Sequence, residues 1–188
     1  MESDKIRDAV RTILESVGED PNREGLLNTP DRVSRMYAEL LSGYTIDAKA
    51  MINDALFESE VDEMVIVRNI EFSSLCEHHL LPFTGIAHVG YIPRGRIVGL
   101  SKLARLVEGY ARRPQVQERL TSEVADALME ALQPDGCGVV IEAVHTCMTI
   151  RGIEKPGATM VTSAMRGGFR GRPETRAEFM TIVRGGPR

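Results

Sequence analysis

Residues 101 to 133 constrain the fold most. "SKLARLVEGYARR" and "VQERLTSEVADALMEAL" both have helical patterning, Pro114 interrupts them, and the Pro134-Asp135-Gly136 turn ends the second. Strand-like segments rich in β-branched and aromatic residues lie in pairs on either side. "EMVIVRNIEF" (63–72) and "FTGIAHVGYIP" (83–93) come before, and "GVVIEAVHTCMTI" (138–150) and "ATMVTSAMRG" (158–167) come after. The order β-β-α-α-β-β predicts an α+β fold, a four-stranded antiparallel sheet with two helices on one face. Further helices belong at both ends. Ile6, Val10, Ile13, Leu14 and Val17 recur at helical spacing until Pro21. "NTPDRVSRMYAELLSGY" offers Thr29 as N-cap, Pro30 at the first helical position, and an apolar stripe of Val33, Met36, Tyr37, Leu40 and Leu41. Pro173 starts a last helix, "PETRAEFMTIV". The expected organisation is an N-terminal helical region, 1–60, and a ββααββ region, 61–188, in one structural domain. Such a sheet leaves its second face and both edges uncovered, so an oligomer is expected.

Composition narrows the function. The 188 residues are 43% hydrophobic, enough to bury a core, and no repeat or biased segment interrupts them. A net charge of -4 excludes a general nucleic-acid binder, whose footprint is basic. "MESDKIRDAV" carries charges where a signal peptide needs an apolar stretch, and no apolar run approaches membrane-spanning length; a cytoplasmic protein with no membrane partner is expected. The 3 cysteines cannot all pair with one another, and a reducing compartment disfavours disulfides, which leaves the thiols for metal or catalysis.

Those thiols are clustered with histidines. Within "CEHHLLPF", Cys76 and His79 have the C-x-x-H spacing that turns two ligands toward one ion, and "HTC" supplies Cys147 beside His145 as a distant third. Three ligands leave the fourth tetrahedral position open, the pattern of a catalytic zinc. Two other readings stay open: buried thiols with satisfied loop histidines, or a closed structural knuckle with Glu77 or His78 as fourth ligand. Cys137 follows a turn with no histidine beside it and reads as core. A second constellation is basic: Ser101 begins a helix, Lys102 and Arg105 lie three apart on one face, and Arg151 follows Cys147 closely, a set suited to polyphosphate as well as to a solvated helix face. Glu118, next to Gln117, offers an acceptor pair that would match the two adjacent N–H groups on the Watson–Crick edge of guanine; the bland alternative is an exposed carboxylate.

"CEHHLLPFTGIAHVGYIPRGRIVGLSKLARLVEGYARRPQVQERLT" (76–121) and "AVHTCMTIRGI" (143–153) resemble GTP cyclohydrolase I, and the likeness runs from "TPDRV" at 29 to "TRAEF" at 175. The resemblance implies the tunnelling fold and a ring-shaped homodecamer that converts GTP and water to 7,8-dihydroneopterin triphosphate and formate. By motif it implies zinc on Cys76, His79 and Cys147, acid–base roles for His78 and His145, and guanine contacts from Gln117 and Glu118. It also implies that Ser101, Lys102, Arg105 and Arg151 face the ribose and triphosphate, with Ser101 near the ribose chemistry, and that Arg32 reaches in from a neighbouring subunit. Thr146 departs from the large apolar or aromatic residue more common between the two functional residues, and the expectation is that it points away from the site. The N-terminal extension is short, and no added regulatory segment is expected there. Two alternatives remain at this point: a nicotinamide-dependent reductase of a deazaguanine nitrile, which needs a nucleophilic cysteine, and a GTP sensor with a structural zinc.

Overall fold

A computed structural model of the chain describes residues 2–185. The chain divides into two compact units, Met1–Ser42 and Gly43–Arg188. In the first unit α1 (Ser3–Ser16) packs along α2 (Thr29–Leu40), and the buried Ser34 donates through Oγ to the Ser3 carbonyl at 3.3 Å. Thr29 is the first residue of α2 rather than its cap; Asn28 precedes it.

Residues 43 to 60 join the second unit because they pack there. Asp47 caps α3 (Ala48–Asn53) by accepting from the Ala50 N–H at 2.9 Å, and Ile52 of that helix is fully buried. β1 (Leu56–Glu58) pairs antiparallel with β4 (Arg96–Val98) in a small two-stranded sheet that the periodicity did not announce.

The main sheet holds the strands that the sequence predicts: β2 (Val65–Cys76), β3 (Pro82–Ile92), β6 (Gly136–His145) and β7 (Met160–Gly167), each antiparallel to the next. It is a five-stranded mixed sheet, however, and not a four-stranded antiparallel one. β5 (Pro114–Gln115) lies parallel to the end of β2, giving the order β5-β2-β3-β6-β7. Two residues are too short to leave a period in the sequence.

Between these strand pairs run α4 (Leu100–Ala111) and α5 (Gln117–Leu132), which cover one face. Phe72, Phe83, Ala87, Val89, Tyr91, Cys137, Val139 and Ile141 meet Leu103, Leu106, Val107, Leu120, Val124 and Leu128 in one continuous core. The second face is not bare as expected. Helix α8 (Pro173–Val183), reached through the short helix α7 (Gly168–Gly171), lays Phe179 and Phe169 beside Val140 and Met165. The register allows this. Gly90 of β3 sits opposite Gly138 of β6, and a Cβ on them would stand 2.8 Å from Phe179 and 2.7 Å from Phe169. Two glycines side by side thus cut a notch into which the rings fit. Burying them is worth about 3–5 kcal/mol each against truncation to alanine.

Candidate active site

The site lies where β2 and β6 end and β3 begins. Leu75 pairs with Pro82 and Phe83 with His145, so three chain segments stop at one place. Pro82 has no N–H to extend a ladder. Instead Thr146 turns its hydroxyl onto the Pro82 carbonyl at 2.5 Å, and the chain coils into the helical turn α6 (Thr146–Thr149). Cys147 therefore sits in a helical turn and not on the strand that its neighbours suggest.

The other thiol comes from a tight turn. Cys76 is the last residue of β2; its N–H donates to the Leu81 carbonyl at 2.8 Å, and its carbonyl accepts from His79 at 3.3 Å and Leu80 at 2.8 Å. Leu80 holds a left-handed backbone (φ 53°) to close this turn. The turn brings Cys76 Sγ to 4.0 Å from Nδ1 of His79 and of His78. The ligand atoms of Cys76, His79 and Cys147 all lie within 4.8 Å of one another. Zinc bonded at its usual lengths would hold a thiolate and an imidazole about 3.6 Å apart, close to the spacing found. An N/S donor set of this kind suits zinc. Burial, and then the neighbouring Cys76, push the Cys147 thiol up, while Arg151 draws it down. Two adjacent thiols resist ionising together, and a divalent cation removes that opposition.

Neighbours of the turn are already committed. Arg119 pairs with the Glu77 carboxylate and donates to Gln115 Oε1 at 2.9 Å and the Pro114 carbonyl at 3.2 Å; that contact holds the Glu77 carboxyl below its usual range. Glu77 is thus engaged away from the thiols. Cys137 is fully buried, donates to the Ala125 carbonyl at 3.4 Å, and has its thiol pushed up to about 12 by burial, so it is neither ligand nor nucleophile.

His145 is half-buried at the end of β6, its ring stacked on Phe83 with centroids 4.4 Å apart and planes 4° from parallel. Burial lowers its pKa, and Glu118 works against that fall. Its Nε2 lies 2.8 Å from Oε1 of Gln117. Gln117 was expected to face a purine, but its side chain is 1% exposed and turned into the protein. The amide nitrogen lies 3.1 Å from the Ile141 carbonyl, 3.0 Å from that of Met160 and 3.1 Å from Thr162 Oγ1. Nothing of this buried contact shows in the sequence. Glu118, one residue on, is exposed.

The basic residues fall elsewhere. β4 leads into α4 beside the far end of β3, where the Val98 N–H donates to the Tyr91 hydroxyl at 3.2 Å; α4 then runs back until β5 lies beside Cys76. Twelve helical residues span about 18 Å. Ser101 and Lys102, in the first turn of α4, are therefore nearly a helix length from the thiols, and Arg105, midway along, stands about 9 Å of helix from the end that approaches them. Arg151 is exposed just beyond α6, near enough for its charge to act on Cys147. Arg32 is exposed on α2 of the first unit.

Among the described residues no helix is long and apolar enough to cross a membrane. Among solved structures, an archaeosine synthase QueF-Like in its apo form aligns with 56% of this chain and 94% of its own, at 20% identity and a TM-score of 0.47. Curated relatives extend over far more of the sequence. GTP cyclohydrolase 1 of Thermoanaerobacter pseudethanolicus is 59% identical over 97% of both chains, and that of Campylobacter jejuni is 58% identical over 95% of this chain and 94% of its own. The enzyme of the same name from Thermobifida fusca is 59% identical over 96% of this chain and 88% of its own. The sequence profile of GTP cyclohydrolase I matches residues 6–184, and with identity at this level along nearly the whole length, the chain belongs to the GTP cyclohydrolase I family.

Proposed function

We propose that the chain converts GTP and water to 7,8-dihydroneopterin triphosphate and formate at a zinc centre held by Cys76, His79 and Cys147. Family membership carries the activity, a hydrolase reaction of pterin and folate biosynthesis. The observation that carries the centre is the convergence of those three ligand atoms. When bound, the ion supplies a Lewis acid that activates water at neutral pH.

The chain's own groups supply the rest. Attack at C8 of guanine needs N7 protonated, so an acid must stand beside the attacked ring. His145, neutral at rest and fixed by Phe83 and Gln117, is suited to take up and return that proton. His78, on the exposed turn beside Cys76, is suited to a second transfer as the formamide is cleaved and formate leaves. The sugar then opens and rearranges to a ketose, and the freed amine closes on the ketone with loss of water, steps that need proton shuttles. Glu118 is the group suited to reading guanine: its carboxylate accepts from N1–H and the 2-amino group and would face a lone pair in adenine.

The triphosphate requires Ser101, Lys102, Arg105, Arg151 and Arg32, of which the first three lie on the half of α4 that is turned away from this chain's own thiols. A second copy supplies them if copies join edge to edge. The outer side of β7 and most of β2 have no strand partner among the described residues, which supports closure into a ring such as the homodecamer of the tunnelling-fold enzymes. The cytoplasm, which keeps Cys76 and Cys147 reduced, suits such a centre.

The test is incubation of zinc-loaded protein with GTP, with formate and fluorescent pterin measured together. Equal amounts of both are expected. Binding of GTP with release of neither would favour the sensor reading. The reductase reading lacks its nucleophile, since Cys137 is buried and the other two thiols share the cluster.

A further inference from the structure

We propose that Gln117 is a positioning residue that holds neutral His145 in the tautomer with its hydrogen on Nε2 and its lone pair on Nδ1; this rests on the acid–base role given to His145 above.

The argument is one of hydrogen-bond accounting. A glutamine amide can be turned either way, and only its surroundings decide which end is oxygen. Here one end of the amide faces the Ile141 and Met160 carbonyls, at 3.1 and 3.0 Å. Both are acceptors only, so the end between them must be the NH2 group; a flipped amide would bury three oxygens against one another. The third neighbour at that end, Thr162 Oγ1, accepts as well. Its own proton is free to go to Thr121 Oγ1 at 2.7 Å, whose proton in turn goes to the backbone carbonyl of Gln117 at 2.6 Å. Each hydroxyl in the group then has one donor and one acceptor role, and the two amide hydrogens are shared among the three acceptors.

With the amide fixed, Oε1 is the end 2.8 Å from His145 Nε2, and an amide oxygen can only accept. The neutral ring must therefore carry its hydrogen on Nε2, leaving a lone pair on Nδ1. The Phe83 ring, stacked flat on the imidazole, limits its rotation. Gln117 is nearly inaccessible and its polar atoms are spent inside the protein, so it reaches His145 and not a ligand.

Neutron diffraction from crystals of the zinc-loaded, unsubstituted protein at about pD 8, above the ordinary histidine range, reads the proton directly. A deuteron on Nε2 alone is expected. A deuteron on Nδ1, or on both nitrogens, would overturn the assignment. Kinetics give a second readout. Zinc-loaded Gln117→Met should lose roughly 10–100-fold in kcat for GTP, the scale of an orienting contact to a functional histidine, with KM and zinc content unchanged. A raised KM with kcat retained would mean that Gln117 touches the purine and would overturn the proposal. The underlying reading fails separately: full turnover by His145→Ala would remove the acid–base role, whatever the deuteron shows.

Discussion

At one end of the main sheet two thiols and an imidazole crowd within 4.8 Å, and behind them Gln117, Phe83, Glu77 and Arg119 are all engaged. At the other end α4 begins, with Ser101 and Arg105 exposed and Lys102 half-buried. The first end is built in advance and could hold an ion. The second holds anion-binding groups on a solvent-facing helix start. A nucleoside triphosphate carries a base and sugar suited to the one and a phosphate chain suited to the other, yet about 18 Å of helix separates them. On the function proposed above, the two ends are half-sites, and a whole pocket would pair the built end of one copy with the basic end of another.

Substitutions can break this picture at either end. Cys147→Ser should be the most damaging, since a hydroxyl replaces a thiolate and two good ligands remain. Metal content should fall to background and pterin formation become undetectable. Full activity with bound zinc would remove the centre as described.

At the far end, Arg105→Ala should keep its zinc and weaken the grip on the triphosphate. Its more telling use is in a mixture. Arg105→Ala and Cys147→Ser copies, each poorly active alone, should regain roughly a quarter of normal turnover once subunits exchange, because random pairing unites an intact thiol end with an intact basic end in one pocket of four. No recovery, with exchange verified by mass, would return both half-sites to a single chain.

The smallest effect lies between the ends. His88, mid-strand in β3, is buried, and burial followed by Arg68 lowers its pKa while Glu142 raises it; Arg184 lines the same cleft. The unfolded chain takes up this proton near pH 6.5, and the native chain resists it. The unfolded state thus binds more protons below that pH, and stability falls as pH falls through it. His88→Gln should flatten that part of the urea-denaturation profile, by at most about 1.4 kcal/mol per pH unit. An unchanged slope would show that His88 is charged in the native state.

How far the sequence revealed these features depends on the reach of each contact. The helix pair was legible because its period repeats over 30 residues, and Cys76 with His79 because a chelating turn is local. Pairing them with Cys147 needed only the scarcity of thiols. By contrast, Gln117 meets His145 from 28 positions away, and the first residue of a helix has no period to say which way it faces. The helical turn at Cys147 depends on Pro82 denying a hydrogen bond across the sheet, and the cover over the second face depends on two glycines that become neighbours only in register. Each of these facts belongs to a pair of segments, and composition along one of them cannot contain it.

The notch cut by Gly90 and Gly138 also sets an order in time. The rings that fill it come from residues 169 and 179, while the strands that form it are complete by residue 145. A chain emerging from the ribosome therefore shows a helix-covered face and a bare second one, with open strand edges, until residue 179 appears about 34 residues later, a few seconds at ordinary rates of synthesis. An incomplete chain released before that point would keep the thiol end of its sheet and expose Val140 and Met165 to any neighbouring edge.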